Sequence, residues 1–313
     1  MTPSPPAASV LYARLVAKGR LRHLQLLVAI AEFGSTKRAA EQVGLSQPAA
    51  TQALADIEGL LGTALFERHA RGMRLTQAGR ALIPIAKSAM DALRASADTL
   101  HALQDGASGV LRVGAIPAAV TGLLCRRLPA LSSRYPSLRI EVQEDRGEHL
   151  LPEVSSGRLD LALCRRPAAV PTACRFVPLL ADTPWVVASP SHPLAQQPSL
   201  TLDDLRAACW LLPTEGKGVR SLFDVMFASF DQRPRLHPIS GTSLPLLLEL
   251  LRREPLLSLV PGSLIAPFCE WGLVTRLAFE VGGDFDGLGA LLGPGSDNPL
   301  VATFVQEMRG DAA

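Results

Sequence analysis

Between Ser35 and Leu61 the chain reads STKRAAEQVGLSQPAATQALADIEGLL, and this stretch restricts the fold more than any other, because it describes two short helices meeting across one tight turn. Gly44 stands between Val43 and Leu45 where the backbone must reverse, and glycine accepts a positive φ without a Cβ clash. Just before it, Ala39 and Ala40 are small enough to let the two helices pack closely. Val43, Leu45, Ala50, Ala53, Leu54 and Ile57 recur at helical spacing and predict the inner face, which leaves Gln47, Thr51, Gln52 and Ala55 outside.

Ser46 is a good N-cap, and Pro48 falls in the first turn where a missing N–H costs nothing, so the second helix is predicted to start there. Its open N-terminus can approach a phosphate. An outer face of amides and one hydroxyl, with almost no charge, suits hydrogen bonding to base edges in a major groove. An ordinary helical hairpin with a solvated amide face carries the same pattern, so the neighbouring segments must decide. After Leu61 and Gly62 comes LFERHARGMRLT, two short β-like pieces around Arg71-Gly72 that predict a hairpin wing. Arg68, Arg71 and Arg74 lie in it, residues suited to phosphate or minor-groove contact.

Three pieces in order, LRHLQLLVAIAEFGS, RAAEQVGLSQPAATQALADIE and LGTALFERHARGMRLTQAGR, make the stretch from Leu21 to Leu82 closely resemble the winged helix-turn-helix domain of LysR-type transcriptional regulators. The chain departs from the commonest pattern at Gln52, where many members carry arginine, and at Thr51, where many carry serine. That bears on which bases are read. The candidate DNA-contacting residues are Ser35, Lys37, Arg38, Ser46, Gln47, Pro48, Ala49, Thr51 and Gln52, with Arg68, Arg71 and Arg74 on the wing. The resemblance places the position of Arg68 next to the DNA backbone.

Charge is divided along the chain. Residues 1–104 carry 12 Lys and Arg against 7 Asp and Glu, whereas the remainder carries 19 against 22. A basic N-terminal part on a mildly acidic body fits phosphate contact at one end, although chance segregation of surface charge gives the same sums. With 313 residues, 48% of them hydrophobic, the chain can bury the cores of two domains and is not a disordered protein. It has no uncharged apolar run of the ~18 to 20 residues that span a bilayer, and MTPSPPAASV lacks the basic and apolar regions of a signal peptide, so the expectation is a cytoplasmic protein without a membrane partner.

Residues 1–20 are expected to be an N-terminal extension, Pro-rich and mobile over residues 1–10 with a short helix from Leu11 to Lys18. The winged domain follows over 21–76, its first helix carrying an apolar stripe of Leu21, Leu24, Leu27, Val28, Ala31 and Phe33 that stops at Gly34. Thr76 can cap a long helix over 77–104, with Pro84 in its second turn. Its apolar residues Leu82, Ile85, Ala89, Leu93, Ala97 and Leu100 step by threes and fours like a coiled-coil seam, and two chains pairing along it would bury it. Packing on its own domain is the alternative.

Gln104 to Gly109 is a linker by composition. Beyond it, VLRVGAIP, LRIEVQE and LDLALCRR read as strands between helical TGLLCRRLPALSSRYP and HLLPEVSSGRLD, predicting a mostly parallel α/β sheet. RRPAAVP is expected to cross into a second lobe that runs through FVPLL, WVVAS, ACWLLP, RLHPISG, LLSLVP and LVTRLAF, and GGDFD to return. That makes lobe I residues 109–171 and 282–313, and lobe II residues 172–281. Two α/β lobes joined by two crossings resemble the effector domain of the same regulators, itself similar to periplasmic binding proteins. The expected fold is therefore an N-terminal winged helix-turn-helix, all-α with a β wing, a long linker helix, and a two-lobed α/β effector domain.

The functions this implies are transcription regulation by a protein that binds double-stranded DNA at an inverted repeat as a homodimer or homotetramer, responds to a small-molecule effector, and works with RNA polymerase. A ligand between the lobes would meet four loops. Ile116, Pro117, Ala118 and Thr121 form the first. Arg146, Lys217, Arg220, Thr242 and Ser243 supply charge, hydroxyls and a helix start that could hold an anion, which points to a small organic acid.

A solute-binding protein of the same bilobal pattern is opposed by the helix-turn-helix, and an enzyme by the absence of Walker A, GxSxG and HExxH patterns; Thr214-Glu215-Gly216-Lys217-Gly218 lacks P-loop spacing. No catalytic residue, cofactor or metal site is expected, since His149, His192 and His237 lack ligand spacing. Cys125, Cys164, Cys174, Cys209 and Cys269 contain no CxxC, so free thiols are the default, with a Cys164–Cys174 pair the oxidant-sensing alternative that one branch of the resembled family suggests.

Overall fold

The computed structural model describes residues 7–69, 72–104, 109–213, 218–294, 296 and 298–309. The chain forms two compact units, one from residues 1–105 and the other from the bulk of the remainder.

The first unit holds helices α1 (Ala8–Lys18), α2 (Leu21–Phe33), α3 (Thr36–Gln42) and α4 (Gln47–Leu61), strands β1 (Phe66–His69) and β2 (Gly72–Leu75), and the long helix α5 (Gln77–Gln104). The tail expected over residues 1–10 ends early, because Ala8 to Val10 are already helical. Each junction has a local cause. Gly34 ends α2 in the left-handed conformation, the Ser35 hydroxyl accepts the Arg38 N–H to start α3, Gly44 turns the chain at φ 66°, and the Ser46 hydroxyl accepts the Ala49 N–H to start α4.

The carboxylate of Glu58, near the end of α4, accepts the N–H groups of Leu65 and Phe66 at 2.6 and 3.1 Å, which fixes where the wing begins. The Met73 N–H donates to the Gly34 carbonyl at 2.8 Å and ties the wing to the end of α2. Gly72 makes this approach possible, since its φ is 129° and a Cβ there would overlap that same carbonyl oxygen.

Leu26, Leu27 and Ile30 of α2, Ala39, Ala40 and Val43 of α3, Ala50, Leu54 and Ile57 of α4, and Leu65 and Phe66 form one buried core. The stripe predicted on α2 is rotated from the observed one. Leu21 and Phe33 are exposed, and the buried face is His23, Leu26, Leu27, Ala29 and Ile30. The helix is packed by α3, α4 and α5 together, so its buried arc is broad, and in so apolar a segment several stripes satisfy the helical period. Leu82 also differs from the seam expected on α5. It packs on the winged core with Ala78 and Ile83, whereas Ile85, Ala89, Leu93, Ala97 and Leu100 are exposed.

The second unit has two lobes. It comprises β3 (Gly109–Ala115), α6 (Pro117–Ala119), a π-helical turn (Val120–Leu124), α7 (Cys125–Arg134), β4 (Leu138–Glu144), α8 (Gly147–Ser155), β5 (Leu161–Arg165), β6 (Arg175–Leu180), β7 (Pro184–Ala188), α9 (Leu202–Ala207), β8 (Cys209–Trp210), α10 (Val219–Met226), β9 (Arg235–Leu236), α11 (Leu244–Arg253), β10 (Leu256–Pro261), α12 (Gly262–Glu270), β11 (Thr275–Arg276), β12 (Leu288–Leu292) and α13 (Pro299–Arg309). The sheet of lobe I runs β4-β3-β5-β12-β6 and that of lobe II β11-β7-β10-β8-β9.

One expectation is corrected here. The segment FVPLL, placed in lobe II from sequence, is β6 and pairs antiparallel with β12 in lobe I, Val177 opposite Ala290. RRPAAVP therefore connects two lobe I strands, and the chain crosses at Ala181–Thr183 instead. The sheets are mostly parallel, as expected: four of the five strands in each run one way, β3, β4, β5 and β6 against β12 in lobe I, and β8, β9, β10 and β11 against β7 in lobe II. β12 is antiparallel to both neighbours, and β7 to β10 and β11, while β3 with β4 and β5, and β8 with β9 and β10, are parallel. The opposed strand in each sheet is the one entered after a crossing, β7 in lobe II and β12 in lobe I, which comes in from the far side and runs against the βα units.

Leu111, Val113, Leu161, Leu163, Ala290, Phe304 and Met308 fill lobe I, and Trp210, Phe223, Phe227, Leu257 and Leu259 fill lobe II. The Trp210 indole N–H donates to the Leu205 carbonyl at 2.8 Å, which satisfies the one polar atom of that ring. Among the described residues no helix is long and apolar enough to cross a membrane.

Candidate functional site

Two arrangements of side chains have functional geometry, one in each unit. In the first, α4 turns its buried side to α3 and leaves Gln47, Pro48, Ala49, Thr51, Gln52 and Ala55 exposed, and Lys37 and Arg38 of α3 are exposed as well. Ser35 and Ser46 are both engaged as helix caps. The Thr51 hydroxyl donates to the Gln47 carbonyl at 2.9 Å, and the Gln52 amide donates to Asp56 at 2.8 Å. A base edge must therefore compete with Asp56 for Gln52, a partner that sequence reasoning missed although its i, i+4 spacing shows it.

On the wing, Arg68 lies opposite Met73, and Arg74 opposite Glu67. Directly opposed residues share a face of a two-stranded ribbon, so the two arginines project from opposite faces and do not form one patch. Arg71 lies outside the described residues.

In the second unit a cleft of about 540 Å³ opens between the lobes. Ile116, Pro117 and Ala118 line it from lobe I, as do Arg146 and, from the start of α11, Thr242 and Ser243. Thr121 and Arg220, expected with them, do not. The Thr121 hydroxyl donates to the Pro117 carbonyl within the π-helical turn at 3.1 Å. Arg220 lies along its own helix, 3.4 Å from Asp224 and over the Phe223 ring, its side chain 14% exposed. A loop residue at the start of a helix has a carboxylate one turn away, and that partner wins. Lys217 lies outside the described residues.

The cleft also contains residues that the sequence did not single out. Leu211, Leu212, Ile239, Leu246, Leu247, Leu259 and Leu264 make its walls mainly apolar, and Glu144, Asp145, Arg165 and Ser258 are the further polar groups. The Ser258 hydroxyl is already spent on the Leu211 carbonyl at 2.7 Å. Arg146 is 3.3 Å from Glu148. The Arg146 N–H and the His149 ring both bond the Asp145 carboxylate, which holds its pKa below the usual carboxylate value. Ser243 stands at the N-cap of α11 without a side-chain capping hydrogen bond and lines the cleft. Arg165 closes β5, and strand carboxyl ends face clefts in such sheets, a rule that could have found it.

Cys125, Cys164, Cys174, Cys209 and Cys269 are free thiols. Burial pushes the Cys164 thiol up to about 12, which keeps it protonated and slow to react with oxidants. Cys174 packs in the same small cluster, its sulfur 3.8 Å from the Ser155 hydroxyl.

Comparison with known proteins assigns both units. Residues 21–80 match the family model of bacterial regulatory helix-turn-helix proteins of the lysR family, and residues 104–313 match the LysR substrate binding domain. The transcriptional regulator GbpR of Azospirillum brasilense is 31% identical over 278 residues, covering 88% of this chain and 80% of that protein. GalR of Pseudomonas putida is 30% identical over 86% of this chain and 68% of its own length. Among solved structures, a mutant of Corynebacterium glutamicum OxyR is 28% identical with a TM-score of 0.55 over 93% of this chain and 90% of that one. CbnR, solved also with its target DNA, shares the fold at 21% identity, with a TM-score of 0.66 over 94% of this chain and 99% of that one. The chain belongs to the LysR family of helix-turn-helix transcriptional regulators.

Proposed function

We propose that this regulator binds an inverted-repeat operator in double-stranded DNA through the 21–76 domain, pairs two copies along the 77–104 helix, and alters its promoter contacts when a small organic acid enters the cleft of residues 109–313. Gln47 to Gln52 read bases. Lys37, Arg38, Arg68, Arg71 and Arg74 bind backbone or minor groove. Dimers joined through their effector domains make a homotetramer that acts on RNA polymerase in the cytoplasm.

The observation that carries the DNA reading is the exposed, nearly uncharged face of α4 together with exposed Lys37 and Arg38 on the preceding helix, which fits a division of labour between base-edge and phosphate contacts. Titrating labelled duplexes at several salt concentrations tests it. Affinity for all duplexes should fall as salt rises, and a specific site should stand well above random sequence. Salt-independent binding would overturn it.

The ligand assignment rests on the cleft's chemistry. Its long apolar wall suits an aliphatic or aromatic body, while Arg146, Thr242 and Ser243 offer donors to an anionic end. A thermal-shift panel of small carboxylates on the full chain is the check. At ~100 times its Kd a ligand should stabilise the protein by ~2.7 kcal/mol, and the shift should shrink in Arg146→Ala. A neutral analogue shifting the protein as much as its acid would remove the anion from the assignment.

A further inference from the structure

Arg165, at the carboxyl end of β5 in lobe I, touches both chain crossings at once. Its Nη2 donates to Asp182 Oδ2 at 2.7 Å on the first crossing. Its Nη1 donates to the main-chain carbonyl of Asp286 on the return crossing, and its guanidinium stands 4.0 Å from the centre of the Phe285 ring. Asp182 is itself a junction. Its side chain is 2% exposed, Oδ1 accepts the N–H groups of Thr183 and Ser263 at 2.9 Å each, and Oδ2 accepts the Ser263 hydroxyl at 2.6 Å. Ser263 belongs to the first turn of α12, which springs from the lobe II strand β10. One guanidinium and one buried carboxylate thus join lobe I, both crossings and lobe II.

We propose that Arg165 is a positioning residue that makes the two crossings a single hinge, so that the lobes turn through one coupled movement instead of two independent ones. A planar fork can serve two acceptors on separate segments, whereas the ammonium of lysine is a point charge on a shorter reach. Arg165 also lines the cleft, and a second cavity of about 550 Å³ that includes Phe285 and Leu222. A group that draws the guanidinium into the cleft would release both crossings together. This consequence rests on the cleft being the ligand site; the hinge itself does not.

Hydrogen exchange of the full-length, ligand-free protein tests the coupling. Arg165→Gln leaves Asp182 its donors from Thr183 and Ser263, so the fold should survive while amides at 181–183 and 284–287 exchange about tenfold faster, the loss expected when a charged hydrogen bond closes a local opening. Arg165→Lys should not restore both segments. The decisive variant is Asp182→Asn, which lines neither cavity. It should speed exchange at 284–287, residues it is not bonded to, because Arg165 is freed. Unchanged exchange at 284–287 in Asp182→Asn, or acceleration spread evenly over both lobes, overturns the hinge and leaves the cleft assignment standing.

Discussion

Replacing Leu93 with Asp puts a charge into the apolar stripe of α5, and the structure sets the scale of the effect. Ile85, Leu93 and Leu100 are 66%, 42% and 62% exposed in the single chain, and they lie on one face of a helix that spans ~22 Å from the first to the last at 1.5 Å per residue. Fully burying such side chains contributes ~1.5–3 kcal/mol each, so covering what remains exposed on the three, in both copies, supplies ~5–10 kcal/mol against the cost of association. An Asp at position 93 removes Leu93's share and strands two like charges in the seam, each costing several kcal/mol when desolvated. A loss of ~4 kcal/mol raises the dimer Kd about a thousandfold. Multi-angle light scattering across a dilution series should show Leu93→Asp at monomer mass where the parent is larger, with tight operator binding lost at the same concentrations. Lys87→Asp, exposed and off the stripe, is the control. A Leu93→Asp protein of parental mass that still binds its operator would refute pairing along this face.

Gln52→Ala should change base preference at one position per half-site, at ~1–3 kcal/mol, and leave the salt slope nearly unchanged, while Arg74→Ala weakens every sequence and flattens that slope. Equal losses on specific and random duplexes in both variants would reverse the roles. Asp56→Ala should strengthen binding to all duplexes, because it removes a negative charge from the helix and frees the Gln52 amide; weaker binding would place Asp56 itself at the DNA. Gly72→Ala should cost more than the ~1 kcal/mol typical of point substitutions, since its φ of 129° is strained for alanine and the Cβ meets Gly34, and urea melts would reveal it. Leu246→Trp fills part of the cleft wall and should cancel any thermal shift that a carboxylate gives the parent without changing DNA affinity; an undiminished shift would move the ligand elsewhere.

The N-terminal unit was legible wherever the information was local. Gly34, Gly44, Ser35, Ser46 and Thr76 each act within one turn of themselves, and all hold the positions their residue types predict. What escaped was set by neighbours distant in sequence. The buried arc of α2 depends on three helices packing at once, and Leu82 leaves the predicted seam because the winged core reaches it first. Strand β6 was misplaced for a related reason: FVPLL reads as a strand in either lobe, and only the free edge of β12 decides which one it joins.

The cleft shows the same division in its charges. Loop arginines look alike in a sequence, yet their availability depends on partners that only the fold reveals. Arg220 has a carboxylate one helical turn away and folds back onto it, so helical spacing alone could have withdrawn it from the site. Arg165 ends a strand with a second arginine beside it, and its partner Asp182 reaches it only because β6 returns to lobe I before the chain crosses. The strand that sequence reasoning assigned to the wrong lobe is thus the one that delivers the carboxylate to the hinge. If β6 sat in lobe II, Asp182 would lie well inside that lobe and Arg165 would face the cleft without it. The position of one strand therefore determines whether this arginine serves as a ligand group alone or also as the tie between the crossings.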